Sequence, residues 1–133
     1  MTPQDRRFRR TVLAYYRRAG RHDLPWRHTT DPYRILVSEL MLQQTQVARV
    51  IPKYEAFIAA WPTAEALAAA SLSDVVRAWQ GLGYNRRARF LHETAGAIVT
   101  QHGGRFPQSI EALRTLPGIG PYTAAAVMVF AYD

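Results

Sequence analysis

An all-α fold is predicted on three observations: twenty alanines, apolar residues recurring at helical spacing, and few β-branched runs of the kind a strand needs. No internal repeat or low-complexity tract interrupts the pattern. Thr2 with Pro3 and Asp5 reads as a capped helix start, Phe8, Val12 and Tyr15 or Tyr16 mark its apolar stripe, and Gly20 ends it. A loop is expected from Arg21 to Thr30. Asp31 and Pro32, as N-cap and first helical residue, open a second helix carrying Ile35, Leu36, Leu40 and Met41 up to the amide-rich Gln43-Gln44-Thr45-Gln46. A third helix runs from about Val47 to Trp61. Pro62 and Thr63 start a short alanine-rich helix, and Ser71 with Asp74 forms a capping box for one bearing Val75, Val76 and Trp79. Gly81-Leu82-Gly83-Tyr84 breaks the pattern, which resumes at Asn85 through Leu91, Ala95 and Ile98 to the glycine stop at Gly103-Gly104. Ser109 caps a short helix through Leu113, and a last helix starts at Pro121 after Leu116-Pro117-Gly118-Ile119-Gly120. The expectation is seven or eight short helices.

A chain of 133 residues suits one compact domain rather than two. Hydrophobic residues at 48% against 20% charged give globular composition, not a disordered tail. No apolar run is long enough to span a bilayer, and no apolar block or cleavage site follows the first residues, so no membrane partner is expected and the cytoplasm, with nucleoid association, is the expected compartment. The absence of cysteine removes disulfides, thiol catalysis, zinc-thiolate sites and iron-sulfur clusters from these residues, and four scattered histidines make a metal site unexpected. Of 17 basic residues 16 are arginine, against 10 acidic, for a net charge of +7. Guanidinium forks suit phosphate, although a genome biased toward arginine would leave the same composition.

Two segments carry chemistry. In Leu116-Pro117-Gly118-Ile119-Gly120 the paired glycines let backbone approach a ligand closely, and the helix that follows aims its free N–H groups and positive dipole end there, as a phosphate requires. The pattern resembles the helix-hairpin-helix motif, a binder of DNA backbone; a hairpin with only a packing role would also satisfy it. Pro121 donates no N–H, so the donors must be its neighbours. In Ile35-Leu36-Val37-Ser38-Glu39-Leu40-Met41-Leu42, helical spacing sets the Glu39 carboxyl on an apolar face, where desolvation would raise its pKa and keep it protonated for donation to a leaving group. A rim glutamate paired with arginine is the other reading of that residue.

Five blocks, in order, extend the pattern: Leu24-Pro25-Trp26-Arg27, Asp31-Pro32-Tyr33, Val37 to Val47 with its Glu and double Gln, Gly81-Leu82-Gly83-Tyr84, and Leu116 to Ala124. Together they resemble the adenine DNA glycosylase (MutY-type) branch of the helix-hairpin-helix glycosylase superfamily over nearly the whole chain. The resemblance implies a six-helix lobe over about 23–133 with its hairpin at about 109–131, and residues 1–22 as the first helix of a second lobe whose C-terminal part is missing. It implies base excision repair on double-stranded DNA: removal of adenine mispaired with 8-oxoguanine or guanine by hydrolysis of the N-glycosidic bond, the base first leaving the stack. Glu39 would protonate the leaving adenine and Tyr122 would line the catalytic pocket. Trp26 and Arg27 would lie near the base. DNA contacts fall to Gln43, Gln44, Thr45, Leu82, Gly83, Tyr84, Arg86, Gly118, Ile119, Gly120 and Thr123, with Gln44 and Tyr84 filling or wedging the stack and Leu82 helping to hold the mismatch open. Singly, Tyr84 also reads as a turn aromatic, Trp26 as a core plug and the glutamines as a solvated helix end.

A glycosylase that also cleaves the backbone needs an amine, and Lys53, read as a surface residue, and the N-terminus are those available; the lyase-type relative has a lysine where Tyr122 stands, so a monofunctional enzyme is expected. The family's essential Asp and its iron-sulfur cysteines lie later in the chain than this sequence reaches, and Asp133 comes too early to be that Asp, so no cofactor is expected within these residues. Without the C-terminal helices, Phe8, Val12 and Tyr15 would be left uncovered or repacked, favouring self-association. Asn85, where adenine-specific enzymes usually have a second Tyr, keeps a related mismatch glycosylase open. A DNA-binding module without chemistry, or a truncated product, also remains open.

Overall fold

A computed structural model describes residues 2–4, 6, 7, 10, 24–83 and 85–132. Of the expected first helix, Pro3, Gln4, Arg6, Arg7 and Arg10 are helical, and the Arg6 N–H donates to the Thr2 carbonyl at 3.1 Å. Asp5, Phe8, Val12, Tyr15, Tyr16, Gly20, Tyr84 and Asp133 lie outside the described residues. Among those described there is no strand. After a 3-10 turn at Pro25–Arg27 come seven α-helices: α1 (Pro32–Leu42), α2 (Val47–Ala60), α3 (Ala64–Ala69), α4 (Leu72–Ala78), α5 (Arg86–His102), α6 (Ile110–Leu113) and α7 (Pro121–Tyr132). None is long and apolar enough to cross a membrane.

The starts follow the expected chemistry. The side chains of Asp31, Thr63, Ser71 and Ser109 each accept a hydrogen bond from a first-turn amide, of Tyr33, Ala66, Asp74 and Ala112 respectively, at 2.9 to 3.1 Å. The stop at Gly103 is a left-handed cap with φ 61°. One expectation changes. Within the loop drawn from Arg21 to Thr30, Pro25–Arg27 forms a helical turn, because the ring of Pro25 presets its φ and the turn drives Trp26 into the core, 1% exposed.

Helix α1 is the axle of the fold. Tyr33 and every residue from Ile35 to Met41 are buried, and α2, α5, α7 and the 3-10 turn all pack on it. A helix enclosed on all sides needs apolar residues all round, and α1 departs from that only at Ser38 and Glu39 within its buried run. Ser38 returns its hydroxyl to the Ile35 carbonyl at 2.7 Å. Helix α7 lies along α1 with Ala124, Ala125 and Ala126 buried, small side chains that allow a close approach. Further out, Phe57 is ringed edge-on by Trp61 and Trp79, with centroids at 4.9 and 6.0 Å.

Tyr33 anchors the start of α1, its hydroxyl donating to the Trp61 carbonyl at 2.6 Å. Burial first, then the neighbouring Asp31 carboxylate, push the Tyr33 phenol well above its ordinary ionisation range. Burial also raises Tyr54 and Tyr132. In the unfolded chain Tyr33 ionises near its ordinary value of 10.0. The stability that its neutral form provides is therefore complete below that pH and lost above it. Urea unfolding followed across the alkaline range is expected to show stability falling above about pH 10, with Tyr33→Phe making that fall shallower at a cost of about 1 kcal/mol at neutral pH.

Candidate functional site

The end of α1 is where the site is assembled. Glu39, one turn before Gln43, is 6% exposed, so the carboxyl expected on an apolar face lies inside the core helix. Gln43 is exposed and reaches across to α7, its Nε2 donating to Thr123 Oγ1 at 3.5 Å. Thr123 is buried, and its neighbour Tyr122 is 39% exposed at the first turn of α7. The packing of α1 on α7 thus brings Glu39, Gln43, Thr123 and Tyr122 to one end of the pair of helices.

Beyond Gln43 the chain makes a sharp turn. Gln44 has φ 58°, the left-handed value glycine adopts freely, and among the described residues no other non-glycine has positive φ. Gln43 and Gln44, with Asn85, Arg86 and Arg87, line an open cleft of about 520 Å³. The lining residues opposite the glutamines stand at the start of α5, which follows the loop Gly81-Leu82-Gly83, with φ 92° and 75° at its glycines. Leu82 is 4% exposed and belongs to the core, so in this state it anchors the loop rather than standing out from it. Lys53, expected as a plain surface residue, is half-buried, and a Cβ built on Gly81 would lie 3.7 Å from its Cε.

The residue that joins the end of α1 to the Gly81–Gly83 loop is Arg87, 7% exposed. Its Nη1 donates to the carbonyls of Leu40 at 2.6 Å, Met41 at 3.2 Å and Gln43; its Nη2 donates to Thr45 Oγ1 at 3.1 Å, the Leu82 carbonyl at 3.2 Å and the Gly83 carbonyl at 3.1 Å. The guanidinium also lies 5.6 Å from the Trp79 ring centroid. Thr45 completes the joint by placing its hydroxyl 3.1 Å from the Leu82 carbonyl. Sequence reasoning selected the exposed Arg86 and passed over Arg87. The missed signal is register: Arg87 is in phase with Leu91, Ala95 and Ile98 on the buried stripe of α5.

The hairpin loop is held by α5 as well. Leu116 and Ile119 are buried pegs, Thr94 Oγ1 donates to the Pro117 carbonyl, and Gly118 has φ 72° with Phe90 directly against it. Of the three residues expected to present backbone to a phosphate, Ile119 turns its N–H inward to the Leu116 carbonyl at 3.3 Å. Gly118 and Gly120 are exposed, and their amides make no backbone hydrogen bond among the described residues. At the two positions expected near a base, Trp26 is a core aromatic edge-on to Tyr54 at 5.3 Å, while Arg27 lays its guanidinium 4.5 Å from the Phe130 ring centroid. The structure therefore joins Gln43, one turn after Glu39, to Thr123 beside Tyr122, and sets Gln43, Gln44 and Arg86 on the adjoining cleft, while Thr45 and Gly83 bond to Arg87.

An iron-sulfur cluster finds no thiolate among these residues, and no group of three His, Asp or Glu side chains among the described residues is placed to hold a metal. The donor set does not fit such a group.

Comparison with known proteins converges on one family. Residues 37–130 match the HhH-GPD superfamily base excision DNA repair protein family. Similar curated proteins include the adenine DNA glycosylase of Mycobacterium tuberculosis, 53% identical over 122 residues that cover 91% of this chain and 40% of that protein. The human adenine DNA glycosylase is 44% identical over 134 residues, covering 94% of this chain and 24% of its own length. The chain thus spans less than half the length of these relatives. Among solved structures, a thermostable thymine-DNA glycosylase superposes with a TM-score of 0.80 at 36% identity, over 96% of this chain and 59% of that one. An endonuclease III in a non-covalent DNA complex has the same fold, with a TM-score of 0.72 at 20% identity over 99% of this chain and 61% of that one.

The two hairpin glycines separate fold from ligand approach. A Cβ at Gly118 would lie 2.6 Å from Phe90 Cβ at a positive φ, whereas one at Gly120 meets nothing within 4 Å. Gly118→Ala is expected to lower stability by about 1–3 kcal/mol and Gly120→Ala by less than about 0.5 kcal/mol, measured by thermal or urea unfolding.

Proposed function

This chain belongs to the HhH-GPD superfamily of base excision DNA repair proteins, and from that premise we propose that it is the acid-bearing, duplex-gripping part of a monofunctional adenine DNA glycosylase. Its substrate is double-stranded DNA with adenine opposite 8-oxoguanine or guanine, met in the cytoplasm on the nucleoid. The observation that carries the reading is the placement of Glu39: a carboxyl 6% exposed on the core helix, one turn before a glutamine that touches the first turn of the hairpin's second helix.

In the proposed reaction the adenine leaves the stack and Glu39 gives its proton to a ring nitrogen of the base. The bond between C1′ and the base then breaks with its electron pair going to the base, and water adds to C1′, one of its protons returning to the Glu39 carboxylate, to leave an abasic site. Tyr122 borders the pocket. The amides of Gly118 and Gly120 and the dipole of α7 meet a backbone phosphate. Gln43, Gln44, Thr45, Gly83 and Arg86 face the strand around the vacated position. The carboxylate that would stabilise the cationic sugar has no counterpart among the described residues, so charge stabilisation of that kind is assigned to none of them. The one lysine, Lys53, packs by Gly81 rather than at the hairpin, in keeping with hydrolysis instead of Schiff-base chemistry.

A second reading is favoured by the share of the relatives that this chain spans, 40% of the Mycobacterium tuberculosis protein: a duplex-holding module whose chemistry is completed elsewhere. The likeness to a thymine-DNA glycosylase at 36% identity adds a third substrate to test.

Single-turnover assays on duplexes carrying adenine opposite 8-oxoguanine, adenine opposite guanine, and thymine or uracil opposite guanine distinguish these readings, with alkali cleavage reporting each lost base. Excision from the adenine duplexes is expected, reduced about 10²- to 10⁴-fold by Glu39→Gln. Binding is expected to weaken at least about tenfold between 50 and 200 mM salt and to be reduced by Gly120→Val. Binding without Glu39-dependent excision would replace the enzyme reading with the module; excision of thymine or uracil alone would replace the base.

A further inference from the structure

We propose that Arg87 is a positioning residue: it holds Gln44 in its left-handed backbone conformation and so aims the two glutamines into the cleft that they line with Asn85 and Arg86 at the start of α5. The inference deepens the reading of that cleft as a duplex-gripping site and rests on it for its consequence in binding.

Two independent observations meet at Gln44. The first is strain. A side chain at φ 58° crowds its own backbone in a way glycine avoids, and such a residue persists only where its surroundings over-determine it. The second is the set of donors bracketing that residue. Arg87 holds the Gln43 carbonyl on one side of Gln44 and Thr45 Oγ1, at 3.1 Å, on the other. The same guanidinium is fixed in turn by the carbonyls of Leu40 and Met41 in α1 and of Leu82 and Gly83 in the loop that precedes α5.

The chemistry calls for arginine in particular. Helix α1 has no basic residue in its last turn, so the cation that suits its negative dipole end comes from α5 instead. A planar fork with separated donors can reach α1 and that loop at once; an ammonium, a single point of charge, cannot span the same set. Arg87 borders the cleft but is only 7% exposed, and both its Nη groups are engaged by protein oxygens, so its influence on a ligand passes through Gln43, Gln44 and Thr45. Glycine at position 44 would relieve the strain but would remove the side chain from the cleft, so a glutamine held there by force is what the arrangement accomplishes.

The test uses Arg87→Lys, Gln44→Ala and their combination, each below its melting transition. One readout is amide exchange at Thr45, whose N–H donates to the Leu42 carbonyl at 3.4 Å, compared with amides in the middle of α5. The other is the ratio of affinities for a duplex carrying adenine opposite 8-oxoguanine and a fully paired duplex. Arg87→Lys is expected to speed exchange at Thr45 about tenfold with α5 unchanged, and to lower the affinity ratio about as much as Gln44→Ala, the double variant losing no more than either. Unchanged exchange, or losses that simply add, would overturn the proposal. If the parent protein does not distinguish the duplexes, the functional reading fails, while Thr45 exchange still decides whether Arg87 holds the turn. If Arg87→Lys does not fold, adding Gln44→Gly is expected to restore folding by removing the strain; failure to restore it would count against the proposal.

Discussion

Six oxygen acceptors converge on the guanidinium of Arg87, which with the neighbouring Thr45 hydroxyl ties the end of α1 to the loop before α5. A helix end and a glycine loop both expose carbonyls that regular structure cannot satisfy. Here both sets face each other across a gap that a charged, forked donor fills. Burying a charge is costly unless its hydrogen bonds are met, and here the two Nη groups are met, one mainly from α1 and one from the loop before α5, while the guanidinium rests near Trp79. Satisfying the end of α1 and fixing the shape of the cleft are therefore one event.

That joint matters because α1 is the element around which the rest is packed. A helix surrounded by protein has a fixed rotation and a fixed axial position, so a side chain on it is placed to within packing tolerance. Glu39 inherits that precision. The same burial gives the helix little freedom to end gracefully, since a buried terminus must find partners for its last carbonyls. The core that positions the carboxyl thus creates the need that Arg87 answers, and the answer in turn bends the chain through Gln44 into the cleft.

Much of this was legible in the residues. The caps at Asp31, Thr63, Ser71 and Ser109, the stop at Gly103 and the buried glutamate all follow from short-range rules about which residue sits where in a helix, and each stands where the rules put it. Less was legible where distant parts meet. Arg87 lies 47 positions from the Leu40 carbonyl it caps, and a hydrogen bond to a carbonyl carries no information about the residue that owns the carbonyl. For the same reason Thr94 gave no sign of holding Pro117. At Gly118 the room expected for a ligand is accompanied by a packing need, since Phe90 of the protein itself lies against the place of the missing side chain. Trp26 shows the opposite case: its two readings, core plug and base contact, differ only in depth, and depth is set by the 3-10 turn that periodicity did not reveal.

Arg87, Phe90 and Thr94 recur at three- and four-residue intervals on one side of α5, the first holding the cleft and the other two holding the hairpin loop. The two surfaces are hung from a common bar, separated along it by seven residues or about 10 Å of helix rise. The molecule carries a calliper whose jaws are loops and whose beam is α5. A single residue inserted between Arg87 and Thr94 would swing one jaw about 100° around the helix axis relative to the other. Evolutionary freedom in this fold is accordingly uneven: side chains on the outer face of α5 can drift, but the count of residues between its two attachments cannot.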